Sequence, residues 1–231
     1  MGTNKKKITK YVLSSTLLVN TVVGQAAVVF AADEKKPEIM QSTVKELFDK
    51  GIFTGDEKGN LNLEGKLTRI QVAAILSRAL NLHVDTTVTT SFKDVSADSW
   101  GLKYIDALQK LGVMVGSDGK FRPNAVITKE ELAVIFVRIT QTSIVGKGTN
   151  LSVTDANEIS GWAKPYVQAA IEAGLITTVN GKFSPKSEVT RQDIAVITDE
   201  FIKDSKFEKY KKSINNLLDE GKKISNSDPT V

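Results

Sequence analysis

The stretch "NAVITKEELAVIFVRIT", residues 124–140, predicts a helix whose first residue carries an unexpected charge. Thr128 stands just before a run of regularly spaced apolar residues and Glu131 follows three positions later, which is the pattern of a capping box. Lys129 lies in the first turn, where the helix dipole favours acidic side chains. The stretch therefore predicts a helix over 129–140 and makes the role of this lysine the first question about function.

The same pattern occurs three times in the chain. The threonine that precedes the helix and two glycines upstream of it align in all three copies, at spacings of 60 to 62 residues. Such internal similarity indicates tandem structural units. The three copies are "LFDKGIFTGDEKGNLNLEGKLTRIQVAAILSRAL" (47–80), "LQKLGVMVGSDGKFRPNAVITKEELAVIFVRI" (108–139) and "IEAGLITTVNGKFSPKSEVTRQDIAVITDEFI" (171–202).

Each unit is predicted to be a helix, a glycine stop, a loop and a second helix, so the fold class is mainly α. The first helices end at Gly51, Gly112 and Gly174. The second helices are predicted over 69–80, 129–140 and 191–202. The units span 38–82 (the divergent first unit), 91–141 (the second) and 152–203 (the third), and 204–231 holds a short amphipathic helix and a disordered tail.

Residues 1–31 have the layout of a secretory signal peptide. Four lysines precede an uncharged, largely apolar run, and small residues at Val29 and Ala31 suit cleavage after Ala31. A transmembrane anchor is the alternative, because the uncharged run approaches spanning length. Subtracting these four lysines from the 31 Lys and Arg leaves 27, equal to the 27 Asp and Glu. A neutral mature chain gives no bulk electrostatic case for binding nucleic acid. The absence of cysteine means that an exported chain is stable without disulfides.

A cation recurs at the first position of each second helix, and two interpretations are open. The long side chain can cover apolar surface or pair with Glu130 or Glu188, in which case it has no binding role. Alternatively, a cation beside the unpaired N–H groups of a helix start forms a site for an anion such as a carboxylate. The three cations are Arg69, Lys129 and Arg191.

Three motifs in order resemble the S-layer homology domain family: "FKDVSADSW" (92–100), "GSDGKFRPNAVITKEE" (116–131) and "VTRQD" (189–193). The resemblance covers roughly residues 38–203. It implies a pseudo-threefold domain built from one chain, whose grooves bind a pyruvylated secondary cell-wall polysaccharide, and a secreted protein of the cell wall or S-layer. It also implies that the basic residue of each motif, here Arg69, Lys129 and Arg191, engages the acidic glycan.

The chain departs from the family pattern in several places. The first unit has "PEIMQSTVKELF" where the family has Phe-x-Asp-Val and Trp, and Lys129 lacks the planar fork of arginine. We therefore rank Arg191 first, then Arg69, then Lys129. Trp162 and, after it, Trp100 are weaker candidates for stacking on sugars, with core packing as the default for both. Asp94 and Asp155 are expected to cap or turn the entry to the following helix.

Other functions find little support. The loop from Asp56 has lysine and leucine where a calcium loop needs a ligand and glycine, and a single histidine, His83, makes zinc binding improbable. No nucleophile elbow, phosphate loop or Cys/His pair is present, so we expect neither an enzyme nor a cofactor. The alternative function is protein–protein assembly through the repeats, and the C-terminal tail is a possible contact for a surface-protein partner.

Overall fold

The computed structural model describes residues 37–55, 60–176 and 178–224. Within these ranges the fold is mainly α, as predicted, with seven α-helices, one short 3₁₀ helix and no strand. The predicted leader and the last residues of the predicted tail lie outside them. The elements are α1 (Pro37–Asp49), α2 (Arg69–Ala79), α3 (Leu102–Lys110), α4 (Lys129–Ile139), the 3₁₀ helix (Gly161–Ala163), α5 (Lys164–Glu172), α6 (Arg191–Lys203) and α7 (Phe207–Asp219).

The second helices, α2, α4 and α6, lie within one residue of the predicted bounds and form the centre of the core. Capping boxes start all three, with Thr68, Thr128 and Thr190 at the N-cap. In α4, every residue from Leu132 to Ile139 is buried. A helix that is buried on nearly all its faces must be surrounded by other elements.

The first helix of each unit packs on the second helix of the unit before it. Thus α3 packs on α2, α5 packs on α4, and α1 packs on α6, which closes a ring of three helix pairs. Apolar side chains on the inner faces of the first helices, such as Val44, Leu47, Ile105 and Leu108, are fully buried. Phe48, next to Leu47 in α1, is 45% exposed.

Three backbone hydrogen bonds join the units around the pseudo-threefold axis. Leu67 N–H donates to the Val189 carbonyl, Val189 N–H to the Ile127 carbonyl, and Ile127 N–H to the Leu67 carbonyl, each at 3.0 Å. All three side chains are fully buried. The residue before each N-cap threonine therefore forms one third of a closed hydrogen-bonded ring.

The loop of each complete unit contains a tight two-residue turn. Asp118-Gly119 and Asn180-Gly181 all have positive φ, between 51° and 73°. Turns of this kind require residues that tolerate the left-handed region, which Asn, Asp and Gly do. Each turn delivers a buried phenylalanine to the core two residues after its glycine, Phe121 in the second unit and Phe183 in the third.

The C-terminal helix α7 packs its apolar face on the domain. Phe207 and Ile214 are buried, and the Phe207 ring meets Phe201 of α6 edge-on, with 5.2 Å between ring centroids. Leu217 and Leu218 pack against the same core. The apolar stripe of the predicted amphipathic helix is therefore covered by the protein's own core.

Polar contacts join α7 and the segment after it to the C-terminal ends of helices in the first and second units. The Asn215 side chain donates to the Leu80 carbonyl at the end of α2 (3.1 Å), and Ile224 N–H donates to the Leu111 carbonyl at the end of α3 (2.9 Å). The Gln141 amide, just after α4, donates to the hydroxyl of Ser213 (2.8 Å). Residues 207–224 thus cover the end of the helix ring where α2 and α4 finish, whereas the ring of backbone hydrogen bonds lies at the end where they begin.

None of the helices in the described part of the chain has both the length and the apolar character needed to cross a membrane.

Replacing Ile214 by alanine should lower the free energy of unfolding by about 2–5 kcal/mol, because it opens a cavity beneath a fully buried side chain. Urea denaturation followed by far-UV circular dichroism measures the change. Lys212→Ala, on the exposed face of the same helix, is the matched control and should shift stability by less than about 0.5 kcal/mol. Equal stability of the Ile214→Ala variant and the parent chain would contradict the docking of α7.

Candidate functional site

The backbone N–H groups at the start of the second helices are all engaged. At α4, Thr128 N–H donates to the Glu131 carboxylate (2.9 Å) and Glu131 N–H donates to the Thr128 hydroxyl (3.4 Å). The N–H groups of Lys129 and Glu130 donate to two carbonyls of the third unit (3.0 and 3.1 Å). The starts of α2 and α6 donate in the same way, to the second and first units. The expectation that these amides are available to an anion is therefore wrong, and the cations must be judged by their side chains.

The three predicted cations lie at three separate seams between units and are not brought together. Arg69 lies between the first and second units, Lys129 begins α4 beside the third, and Arg191 lies between the third and first. Lys129 and Arg191 are half-buried, whereas Arg69 is 6% exposed. Any ligand therefore meets one of these cations at a time.

Arg69 is a buried connection between the first two units. Its Nε and Nη2 donate to the carbonyls of Phe121 and Val115, each at 2.9 Å, and its Nη1 lies 3.3 Å from the Glu131 carboxylate. The guanidinium also lies over the Phe121 ring, 4.9 Å from its centroid. Burial lowers the pKa of Arg69, and the carboxylate of Glu131 opposes that shift. These contacts give Arg69 a structural role.

Arg191 makes a similar connection but borders open space. Its Nε donates to the Leu61 carbonyl (2.6 Å), its Nη2 donates to the Thr54 carbonyl (2.7 Å), and its guanidinium lies 5.3 Å from the centroid of the Phe53 ring. The side chain forms part of the wall of a groove of about 390 Å³. Arg191 therefore holds the third unit to the first and also faces a space that a ligand can enter.

This groove, which we call the Arg191 groove, is rich in positive charge and hydrogen-bonding groups. Its cations come from three places: Lys66 before α2, Arg78 in the last turn of α2, and Arg191. Gln71 and two asparagines of the first loop add neutral donors and acceptors, and Trp100 forms one wall. The described residues that line the groove include no acidic side chain.

The two tryptophans are exposed, which corrects the expectation that they pack in the core. Trp100 is 57% exposed and Trp162 is 56% exposed. The Trp100 ring meets the Tyr104 ring edge-on, with 6.5 Å between the two centroids. The Arg78 guanidinium lies over the same Tyr104 ring, 5.3 Å from its centroid. Tyr104 thus positions a tryptophan and an arginine on the Arg191 groove while its own ring is half-buried.

Asp94 and Asp155 fix the loops of their units. They do not cap the following helices, contrary to the expectation from the sequence. Asp94 accepts from the N–H groups of Phe121 (2.8 Å) and Arg122 (2.7 Å). Asp155 accepts in the same way from the two equivalent residues of the third unit. The N-caps of α3 and of the 3₁₀ helix are instead Gly101 and Ser160. Because the Phe121 carbonyl receives Arg69, the Asp94 clamp also supports the seam between the first two units.

The acidic residues proposed as partners for the cations have other contacts. Glu130 is buried and accepts from Ser160 N–H (3.0 Å) and from the ammonium of Lys186 (2.5 Å). Glu188 forms an ion pair with Lys66. The acidic partner of Arg69 is Glu131.

Sequence reasoning missed Arg78 and Tyr104 as parts of the groove. A signal was present: Arg138 recurs at the same position of α4 and lies over Tyr166 of α5, 5.3 Å from its ring centroid. Comparing the last turns of the second helices, and not only their first turns, would have shown that an arginine recurs there as Arg78 and Arg138. In the described part of the chain no group of His, Asp or Glu side chains is arranged to hold a metal ion, and Asp56, where a calcium loop was tested, lies outside it.

Comparison with known proteins identifies the class to which this architecture belongs. The S-layer homology domain family matches residues 91–133 and 154–195, which fall in the second and third units. The resemblance inferred from the motifs is thereby confirmed in the second and third units: the chain is an S-layer homology domain protein.

The similar proteins include surface-layer proteins and an enzyme. A surface-layer 125 kDa protein of Lysinibacillus sphaericus is 35% identical over 68% of this chain and 13% of its own length. An S-layer protein of Bacillus thuringiensis subsp. finitimus is 29% identical over 80% of this chain and 23% of its own length. An amylopullulanase of Thermoanaerobacterium thermosulfurigenes is 28% identical over 80% of this chain and 10% of its own length. The chain thus corresponds to less than a quarter of these relatives, and the S-layer proteins indicate a secreted, cell-wall or S-layer location.

Asp94 should make stability depend on pH in the acid range. Burial acts to raise the pKa of Asp94, but the hydrogen bonds from Phe121 and Arg122 outweigh it and hold the pKa below its ordinary value of 3.8. The ionised carboxylate therefore stabilises the fold above pH 3.8, and this contribution is lost as the pH falls through the folded-state pKa. Asp94→Asn should lower the free energy of unfolding by about 2 kcal/mol at pH 7, with a difference from the parent chain that shrinks below pH 3.8.

Urea denaturation of both chains between pH 7 and pH 3 measures this difference. Asp118→Asn is the matched control, because Asn180 already occupies the equivalent turn position with a similar φ. It should change stability by less than about 0.5 kcal/mol. A difference between Asp94→Asn and the parent that stays constant down to pH 3 would show that the carboxylate charge is not what holds the loop.

Proposed function

We propose that the chain anchors to the bacterial cell wall by binding an acidic, pyruvylated secondary cell-wall polysaccharide in the Arg191 groove. The observation that supports this best is the groove itself, which places three cations and an exposed tryptophan around an open space in an S-layer homology domain. In this proposal the carboxylate of the pyruvate group meets the cations, and a sugar ring packs on Trp100.

The lining of the groove suits a ligand that is both charged and polar. Arginine presents planar donors that match a carboxylate, and lysine adds a point charge. Asn60, Asn62 and Gln71 can exchange hydrogen bonds with sugar hydroxyls. Trp100 offers an apolar face beside polar groups, which is the usual composition of a small-molecule site.

The three seams differ in charge, and this orders the candidate cations. At the seam of Lys129, the repeat positions of Gln71 and Arg78 are taken by Asp193 and Glu200, and the first unit supplies no tryptophan. At the seam of Arg69, the cation is buried and paired with Glu131. We therefore infer that Arg191 is the principal binding cation, that Arg69 acts mainly in the fold, and that Lys129 contributes least.

The same module occurs beside different activities in the relatives, which supports an anchoring role without catalysis. Surface-layer proteins and an amylopullulanase share similarity with this chain over 10–23% of their own lengths in the cases with the widest overlap. A segment common to proteins with and without an enzymatic name is best explained as the part that locates them. On this basis we propose that the chain is an anchor and not an enzyme.

The primary experiment is co-sedimentation of the purified chain with Gram-positive wall sacculi, half intact and half chemically stripped of secondary polysaccharide. We expect binding to the intact walls only, weakened by salt and by added pyruvate, because recognition of a charge is screened and competed. Equal binding to both preparations would indicate adhesion to peptidoglycan. Binding to neither would favour protein–protein assembly.

Trp100→Ala should weaken binding to intact walls by about tenfold or more, as expected for an aromatic side chain at the centre of a contact. Trp162→Ala is a closely matched control, because this tryptophan is equally exposed and lies at the seam where the arginine is buried. It should leave wall binding within about twofold of the parent. Equal losses in the two variants would argue against a preference for the Arg191 groove.

Arg191→Ala should weaken wall binding by about 1.5–3 kcal/mol, the amount typical of a lost charge-assisted hydrogen bond. Arg69→Ala should instead lower the free energy of unfolding by about 3 kcal/mol, because it removes a buried guanidinium that pairs with Glu131 and donates to two carbonyls of the second unit. Sedimentation at a temperature where both variants are folded, with urea denaturation in parallel, separates the effects. A folded Arg191→Ala chain that binds walls as tightly as the parent would remove Arg191 from the site.

A further inference from the structure

An ion pair between two different units lies on the wall of the Arg191 groove. Lys66, which lines the groove, pairs its ammonium with the carboxylate of Glu188, 122 residues away in the third unit. The two side chains remain 56% and 42% exposed. Glu188 is not a lining residue, so its contact with the groove is made through Lys66.

The pair arises from divergence at a single repeat position. Lys66, Val126 and Glu188 each stand two residues before an N-cap threonine. An isolated antiparallel bridge pairs Lys66 with Thr190, which places the lysine beside the segment that carries Glu188. The same backbone position therefore contributes a cation in one unit, an anion in another and an apolar residue in the remaining one.

We propose that Glu188 is an internal competitor that limits the affinity of the Arg191 groove for anionic ligands. A ligand carboxylate and the Glu188 carboxylate compete for the same Lys66 ammonium. When the ligand binds, the ammonium must therefore leave Glu188 or divide its hydrogen bonds between the two carboxylates. Lys66 then adds to the binding of the ligand carboxylate by Arg191, and Glu188 sets how strongly it does so. This inference rests on the proposed binding of an acidic glycan in the same groove.

The strength of the pair sets the size of the effect. An exposed ion pair stabilises the free protein by about 0.2–1 kcal/mol, so a ligand can displace it readily. Removing the Glu188 charge should therefore tighten binding of an anionic ligand by about two- to fivefold. It should not change binding of a neutral ligand of the same shape, because the competition is between charges.

The test is isothermal titration calorimetry of the purified chain with a hexose that carries a pyruvate ketal, and with the methyl ester of that compound. The variants are Glu188→Gln, Lys66→Gln and the double variant. Glu64→Gln is the matched control, because it removes an exposed carboxylate two residues from Lys66 that does not line the groove. We expect tighter ketal binding for Glu188→Gln alone, and no further gain from Glu188→Gln once Lys66 has been replaced.

Several results would overturn the inference: equal ketal affinity of Glu188→Gln and the parent, an equal gain from Glu64→Gln, an equal gain for the methyl ester, or no ketal binding by either chain. Wall sedimentation of the parent chain judges the proposed function separately. Intact-wall binding with unchanged ketal affinity in Glu188→Gln would leave the anchoring role standing and remove the competitor. Tighter ketal binding by Glu188→Gln without wall binding would leave the competitor and remove the anchor.

Discussion

The cyclic exchange of backbone hydrogen bonds between units is the interaction on which the rest of the structure depends. Each second helix donates its first N–H groups to carbonyls in the loop of the next unit, and the last unit donates to the first. Leu67, Ile127 and Val189 close a further ring at the axis. An isolated unit would lose these carbonyl partners and would expose to water the apolar surface that its neighbours cover, which removes the hydrophobic stabilisation of the core. The fold is therefore complete only when all three units are present and α1 has closed the ring on α6.

This exchange also explains why a cation is tolerated at the first position of each helix. Because the neighbouring loop lies directly over the helix start, a long basic side chain there reaches carbonyl oxygens of the adjacent unit. Arg69 meets two such oxygens and Arg191 meets two. These contacts, with Glu131 in the case of Arg69, offset the unfavourable helix dipole. The two arginines at this position are thus explained first by joining units, and the function proposed above gives Arg191 a second role in the groove that it lines.

Much of the fold was predictable because its signals are local. The capping threonines, the helix-stopping glycines and the buried phenylalanines after the tight turns all depend on residues within a few positions of one another. The candidate site was less predictable because its contacts cross between units. Nothing in "FKDVSADSW" shows that Asp94 accepts two N–H groups from a loop about 27 residues later, or that Trp100 stays exposed. The same holds for the helix amides, whose partners lie in whichever unit comes next around the ring.

Triplication supplied one backbone site three times, and side-chain divergence then made the three seams unequal. At the capping position the chain has Gln71, Glu131 and Asp193, so the groove lined by Arg191 has a neutral capping side chain where the other two seams have a carboxylate. The last turn carries Arg78, Arg138 and Glu200, which places positive charge at two seams and negative charge at the third. A capping box works equally well with amide or carboxylate, so substitution at this position leaves the helix intact while it changes the field in the groove. The ring can therefore remain symmetric in its backbone while the proposed recognition of an anion is confined to a single seam.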